Sequence, residues 1–333
     1  MKKVCCLLVV LTACGGSHSA VSSPLHSGSV GIDGEGDAVS LVITRPVQVG
    51  QVFVSSMTES ARAEALVDAS PDVVPMRNDG YNCAGQLEIM AVNEEQKMTR
   101  GRFTVMFCAT IEQRGDDRRD TEVLPEGAVV LVDRGADTTE EALVLVDGEL
   151  APEQRAVLER AFRVPRSGAQ GSRAAFSEVL GLLGLDQPRR VGERWSLGSD
   201  AVLEILPEDL VNHDGLEAEG YAELFVFDGS RGLDEGTPCF GESCHELRVT
   251  LEASSLPSMM GERAVQDSAN ATITLSALIP FESSLPIWQA DMRLSINASG
   301  TITAPGSDSP AVMLMNIVID KRRVMTPLPS GQD

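Results

Sequence analysis

The chain has 333 residues, of which 49 are acidic and 27 basic, for a formal net charge of −22 at pH 7. So large an acidic excess argues against nucleic acid as a partner, and against binding anionic lipid through a basic patch. Hydrophobic residues make up 43%, enough for one large or two medium domains, and aromatics only 4%, which weakens any case for a sugar- or base-stacking surface.

The first sixteen residues organise the reading. Lys2 and Lys3 precede an apolar run, Val4 to Leu11, which ends in Leu11-Thr12-Ala13-Cys14-Gly15-Gly16. The run is shorter than the roughly 20 apolar residues that span a bilayer. It suits the core of a secretory signal peptide, which wants roughly 7–15. The small residues leading to the cysteine resemble the lipobox of bacterial lipoproteins. That resemblance implies cleavage after residue 13, a lipid on Cys14, attachment to the cell envelope and, from Gly15, an outer-membrane destination facing the periplasm or the cell surface. Attachment would then rest on the lipid, since two or more acyl chains anchor stably.

Residues 14–37 are rich in Gly, Ser, His and Ala and read as a flexible tether. Asp33, Glu35 and Asp37 alternate with glycine, but the distal Glu of a calcium loop is missing. From Ala38 the signals are of strands: Val39 to Thr44, Val52 to Val54, Leu87 to Val92 and Phe103 to Ile111. The polar stretch from Asn93 to Arg102 predicts a hairpin. A turn centred between Glu95 and Gln96 places Cys83 opposite Cys108, although that register also puts Arg100 and Arg102 on one face with Ile89 and Ala91. Strands at Ala128 to Val132 and Ala142 to Val146 follow.

Two helices are then expected. Pro152 to Phe162 has a helix-start proline, an early Glu153 and apolar Val157, Leu158, Ala161 and Phe162 at helical spacing. Ser172 is the expected N-cap of a second, running through Phe176, Val179, Leu180 and Leu183 to about Gly184. After Pro188 strands return at Val202 to Leu206, Ala222 to Phe227, Glu246 to Leu251, Ala271 to Ile279, Ile287 to Thr303 and Val312 to Val324. The expected fold is therefore α+β: mostly long antiparallel strands in a curved sheet or half-barrel, with two helices near the middle. The halves are 38–187 and 188–333, in one continuous domain or two. Pro46-Val47-Gln48-Val49-Gly50-Gln51-Val52-Phe53 recurs as Pro188-Arg189-Arg190-Val191-Gly192-Glu193-Arg194-Trp195, sharing Pro-x-x-Val-Gly-x-x-aromatic at the head of each half. The second copy, with its Val-Gly-x-x-Trp, resembles a segment of bacterial envelope proteins built of long antiparallel strands.

Beyond the leader and Cys14, four cysteines remain: Cys83, Cys108, Cys239 and Cys244. An even number in an exported chain predicts two disulfides with three possible connectivities, of which Cys83–Cys108 and Cys239–Cys244 are favoured. Cys239, Cys244 and His245 also resemble an uncommon variant of the c-type haem attachment site, with a four-residue spacer, so a redox protein is the alternative. Zinc lacks a fourth soft ligand. After the tether only His213 and His245 remain as histidines, and there is no Gly-x-Ser-x-Gly, Ser-x-x-Lys, His-Glu-x-x-His or phosphate loop. An uncharacterised enzyme stays a third reading. The reading preferred here is a non-catalytic envelope protein, without a cofactor, that holds an apolar ligand or an envelope protein.

Overall fold

The computed structural model describes residues 38–328 except 40, 42–46, 68–69, 95, 115–116, 135–141, 163–182, 186, 200–201, 203–215, 228–242, 257–263, 282–288 and 303–309, with backbone alone for 70–77, 114 and 264. Its strands are β1 (Val52–Val67), β2 (Ser70–Val92), β3 (Met98–Arg114), β4 (Asp117–Glu122), β5 (Val129–Asp133) and β6 (Leu143–Leu145), then β7 (Arg194–Leu197), β8 (Glu217–Phe227), β9 (Cys244–Ser254), β10 (Ala264–Pro280), β11 (Gln289–Ile302) and β12 (Ala311–Pro327). A helix, α1 (Pro152–Phe162), lies between β6 and β7. All strands join one open, curved antiparallel sheet in the order β6-β5-β3-β2-β1-β12-β11-β10-β9-β8-β7, with β4 on the side of β3. The chain thus draws two meanders, and β1 pairs with β12 to make them one sheet, in register from Phe53↔Pro327 to Val67↔Met313.

Alternation explains the long strands. In β10, Ala269, Ala271, Ile273, Leu275, Ala277 and Ile279 are buried. Asn270 and Thr274 between them are exposed. Seventeen residues at the antiparallel rise reach roughly 55 Å, long enough for twist to bend the sheet. The apolar face is called inner below, the polar face outer.

Two cores sit on the inner face. The first half buries Leu87, Phe103, Val105, Val130 and Val132 under α1, whose Val157, Leu158, Ala161 and Phe162 face the sheet. Phe162 meets Phe103 edge to face at 5.0 Å. Gln154 fastens the helix start, accepting from the Ala151 amide at 2.9 Å and donating to the Val123 carbonyl at 2.7 Å. The second core gathers strand residues of β7 to β12 with Leu41, Leu183, Leu185, Val202 and Leu256.

The recurring octapeptide builds the same turn twice. The Gly50 amide donates to the Ile89 carbonyl (2.8 Å) and that of Gly192 to Leu224 (2.7 Å); Gln51 donates to Gln48 (3.1 Å) and Glu193 to Arg190 (2.9 Å). The return bonds match too, Ile89 to Gln51 at 2.9 Å and Leu224 to Glu193 at 3.2 Å. The side chains of Gln51 and Glu193 each accept from the amide three residues earlier, at 2.8 and 2.7 Å. Both glycines have positive φ, +87° and +81°. Phe53 and Trp195 are both buried. Trp195 donates to the Leu183 carbonyl at 2.9 Å, and Arg189 stacks on its indole at 4.4 Å.

The β2–β3 hairpin resolves the register conflict. Cys83 does face Cys108, but a bulge between Ala84 and Gly85 sets Met106 and Phe107 together against one partner strand position. Both are exposed, and the slip of one residue sends Phe103 and Val105 inward and Arg100 and Arg102 outward.

Other expectations are corrected. Val39 makes only an isolated bridge to Arg189, and Leu41 joins the second core; the rest of Val39 to Thr44 lies outside the described residues. Val202 is a core residue preceding β8 rather than a strand start, and 203–206 lie outside the described residues. The strand after Pro188 is instead β7. β1 runs sixteen residues where Val52 to Val54 was expected, and β4, wholly exposed Asp117 to Glu122, was not foreseen. Of the two expected helices one is present as α1; the second, from Ser172 to residue 182, lies outside the described residues, and Leu183, Gly184 and Leu185 form a turn.

Candidate functional site

The two cores are separated, on the inner face, by a polar seam where β1 meets β12. Following the strand pairings, one transverse row reads Tyr81, Glu59, Lys321, Met292, Leu275, Val249, Ala222 and Trp195. Its two charged members are neighbours at the seam. Lys321 Nζ lies 2.9 Å from Glu59 Oε2, and Arg160 Nη1, from the last turn of α1, donates to Glu59 Oε1 at 3.2 Å. The Glu59 side chain is 7% exposed, Arg160 19% and Lys321 32%. The Arg160 guanidinium also sits 5.3 Å from the Tyr81 ring centre.

Parity places each of these groups. Glu59 follows Phe53, Ser55 and Met57 at alternate positions of β1, all buried, so its carboxylate points inward. Lys321 follows Met315, Ile317 and Ile319 on β12 in the same way. Arg160 is one turn past Val157 on the helix face that meets the sheet. Asp79 and Arg323, each with partners of its own, extend the seam by one residue pair on either side.

Both oxygens of Glu59 are engaged by cations, so the triad ties β1, β12 and α1 together; it is not arranged as a base beside a nucleophile. Breaking one member of such a buried set is costly because the others lose their counter-charge.

A second polar group lies on the outer face. Gln289, almost fully buried, accepts from Arg322 Nη2 at 3.0 Å and donates to Asp291. Arg322 Nε stands 3.7 Å from Asp291 Oδ1. Burial raises the Asp291 carboxyl above its ordinary range, outweighing the Gln289 hydrogen bond and the Arg322 charge, and nearby Asp320 adds to the rise.

The residues singled out from sequence fall as follows. Cys83 and Cys108 form a disulfide with Cα atoms 4.0 Å apart, both buried on the inner face of the first half. Cys244 is buried and disulfide-bonded. Cys14, Cys239 and His213 lie outside the described residues. His245 packs on Phe281, ring centres 4.3 Å apart. Cys244 and His245 are consecutive in β9, so their side chains leave opposite faces, whereas haem attachment needs both directed at one porphyrin. With the Cys244 sulfur also held in a disulfide, the haem alternative finds no support in this geometry. Among the described residues no group of three or more His, Cys, Asp or Glu is placed to hold a metal ion, and no helix is long and apolar enough to cross a membrane. Sequence reasoning missed Glu59, Arg160 and Lys321. The usable signal was Lys321, which shares the inward parity of Ile317 and Ile319 within an expected strand.

No family model and no curated protein matches the chain. Among solved structures it is similar to one described as "Lipid-protein interactions in lipovitellin", at 11% identity over 86% of this chain. The chain spans 26% of that structure's length, and the TM-score of 0.33 is too low to relate the two folds.

Proposed function

We propose that the chain is an envelope lipoprotein, anchored through Cys14, whose sheet holds a lipid-like apolar ligand against the inner face of its second half. The order of charge, short apolar core and small residues up to Cys14 supports the anchor. One observation carries the ligand reading. The inner face of β7 to β12 is a continuous aliphatic field, and the described side chains that reach it from outside the strands are Leu41, Leu183, Leu185, Val202 and Leu256. An aliphatic surface with one aromatic, Trp195, at its edge suits acyl chains, which need area and shape but few polar partners.

Trp195 supplies the test. In a Trp288→Phe variant it is the remaining tryptophan, and uptake of a brominated fatty acid should quench its fluorescence. Native mass spectrometry of delipidated protein should show the same ligand bound in defined stoichiometry. Absence of both quenching and bound mass would overturn the ligand reading. The anchor is tested separately: Cys14→Ser should release the protein from the membrane fraction, and persistent association would refute attachment through the lipid.

A further inference from the structure

The outer face carries a shallow depression of about 300 Å³ where β1, β12, β11 and β10 run side by side. Its floor is a transverse row of Glu64, Asn316, Asn297 and Asn270, one from each strand in that order. The adjoining row is Leu66, Leu314, Ser299 and Ser268. Asn316 Nδ2 donates to Asn297 Oδ1 at 3.1 Å, and the Ser268 and Ser299 hydroxyls are 2.8 Å apart. Leu66 and Leu314 are 37% and 47% exposed, a large apolar pair, beside the polar row, that Val312, 44% exposed, continues along β12.

The chemistry of this lining narrows what fits. An anion would meet Glu64 and no cationic side chain. A divalent cation would find a single carboxylate where it needs several oxygen ligands, mostly charged. A wholly apolar ligand would strip water from three carboxamides without replacing their hydrogen bonds. A neutral ligand rich in hydroxyl and amide groups matches on each count. Every carboxamide offers two donors and an acceptor, and Glu64 accepts from hydroxyls. The three asparagines span two strand spacings, roughly 10 Å, which is the scale of a disaccharide. The Leu66–Leu314 ledge suits the C–H face of a sugar ring or the methyl of an acetamido group. Asparagines beside it can pair with the acetamido N–H and carbonyl.

We infer that this depression is a binding site for a neutral, N-acetylated oligosaccharide. It lies on the face opposite the aliphatic field and stands independently of the apolar-ligand reading. The probe is the β-1,4-linked tetramer of N-acetylglucosamine, followed by saturation-transfer NMR and titration calorimetry on the full chain. The tetramer should bind with a Kd of about 1 mM or tighter. The corresponding glucose tetramer, which lacks acetamido groups, should bind at least about tenfold more weakly. Asn297→Leu combined with Asn316→Leu should lower affinity by about tenfold or more; both positions are exposed, and circular dichroism checks that the sheet persists. Asn270→Ala, at the end of the row, provides a milder second variant. No saturation transfer from the tetramer, equal binding of the two tetramers, or unchanged binding in the double variant would each overturn the assignment. So would concentration-dependent self-association abolished by Leu314→Asn without any sugar binding, which would make the ledge a contact between copies.

Discussion

Glu59→Gln isolates the contribution of the central ion triad. The substitution keeps size and hydrogen-bonding capacity but removes the charge that Lys321 and Arg160 share at 2.9 and 3.2 Å. Removing one partner of a fully buried ion pair costs about 3–5 kcal/mol, because the remaining charge is left uncompensated. Here the carboxylate is almost completely buried, while Lys321 at 32% and Arg160 at 19% exposure recover part of their hydration. The expected cost is therefore at the lower end, about 3 kcal/mol. For a chain of this size, with a urea m-value of roughly 3 kcal/mol/M, the unfolding midpoint should fall by about 1 M. The triple variant Glu59→Leu, Arg160→Met, Lys321→Met should return to within about 1 kcal/mol of the wild type, since a packed apolar set replaces the ions without a desolvation cost. A Glu59→Gln midpoint indistinguishable from wild type would refute the reasoning. So would a triple variant no more stable than the single one, which would show that the loss came from packing.

Three further outcomes follow from the geometry. Replacing Cys83 and Cys108 by alanine should cost about 3–4 kcal/mol, read from urea midpoints, because the bond closes a loop of separation 25; and since both are buried, the wild-type bond should yield to a reductant, and the freed thiols to labelling reagents, only on unfolding. Asp291→Asn should raise stability at neutral pH. A carboxyl whose folded pKa is raised by burial binds its proton more tightly folded than unfolded, so stability is full below the ordinary aspartate range and falls as pH rises through the raised value. The variant's advantage should vanish by about pH 4, near the unperturbed aspartate value; an advantage independent of pH would point to packing instead. Gly50→Ala and Gly192→Ala should each cost about 1 kcal/mol in thermal or urea unfolding, and nearly the same amount. Both glycines have φ above +80° and nothing within 4 Å of an added Cβ, so the penalty is conformational alone.

Much of this architecture was legible where alternation was undisturbed. The strands β8 to β12 follow apolar periods of two, α1 follows a period of 3.6 with its proline and early glutamate, and the two octapeptides announce the same turn. The Cys83–Cys108 pairing followed from hairpin geometry. What hid the register beyond it was the bulge at Met106 and Phe107: an extra residue inverts parity, and no local residue preference marks it in one sequence. β1 was concealed differently. Its inward positions include Ser55 and Glu59, which read as solvent-facing until Lys321 and Arg160 are known to meet them. The triad itself joins residues 59, 160 and 321, so no local window contains its signal. β4 lacks any apolar period because it lies fully exposed on the side of β3, where Asp117, Arg118, Arg119 and Asp120 make a charged edge that discourages pairing with other chains.

The position of the charges bears on how the two meanders find each other. β1 and β12 are the most distant pair in sequence, so their contact is the costliest in loop closure and the last to be specified by local turns. A slip of one residue along this pair would turn the inward set of one strand outward, and the loss of both cores forbids it. A slip of two keeps the faces correct, and apolar residues alone would resist it weakly, since alanines recur at alternate positions of β1 (61, 63 and 65) and methionines and isoleucines at alternate positions of β12 (313, 315, 317 and 319). The triad supplies the missing discrimination. In one direction Glu59 would oppose Ile319 and Lys321 would oppose Met57, leaving both charges buried among aliphatic groups. In the other, Arg323 would reach Glu59, but Lys321 would be stranded opposite Ala61. Arg160 adds a reference from outside the strand pair, because α1 is already fixed on the first core by Phe162 and Leu158. Ionic groups therefore stand at the one junction where hydrophobic patterning leaves the register ambiguous, and apolar groups fill the inner face on either side.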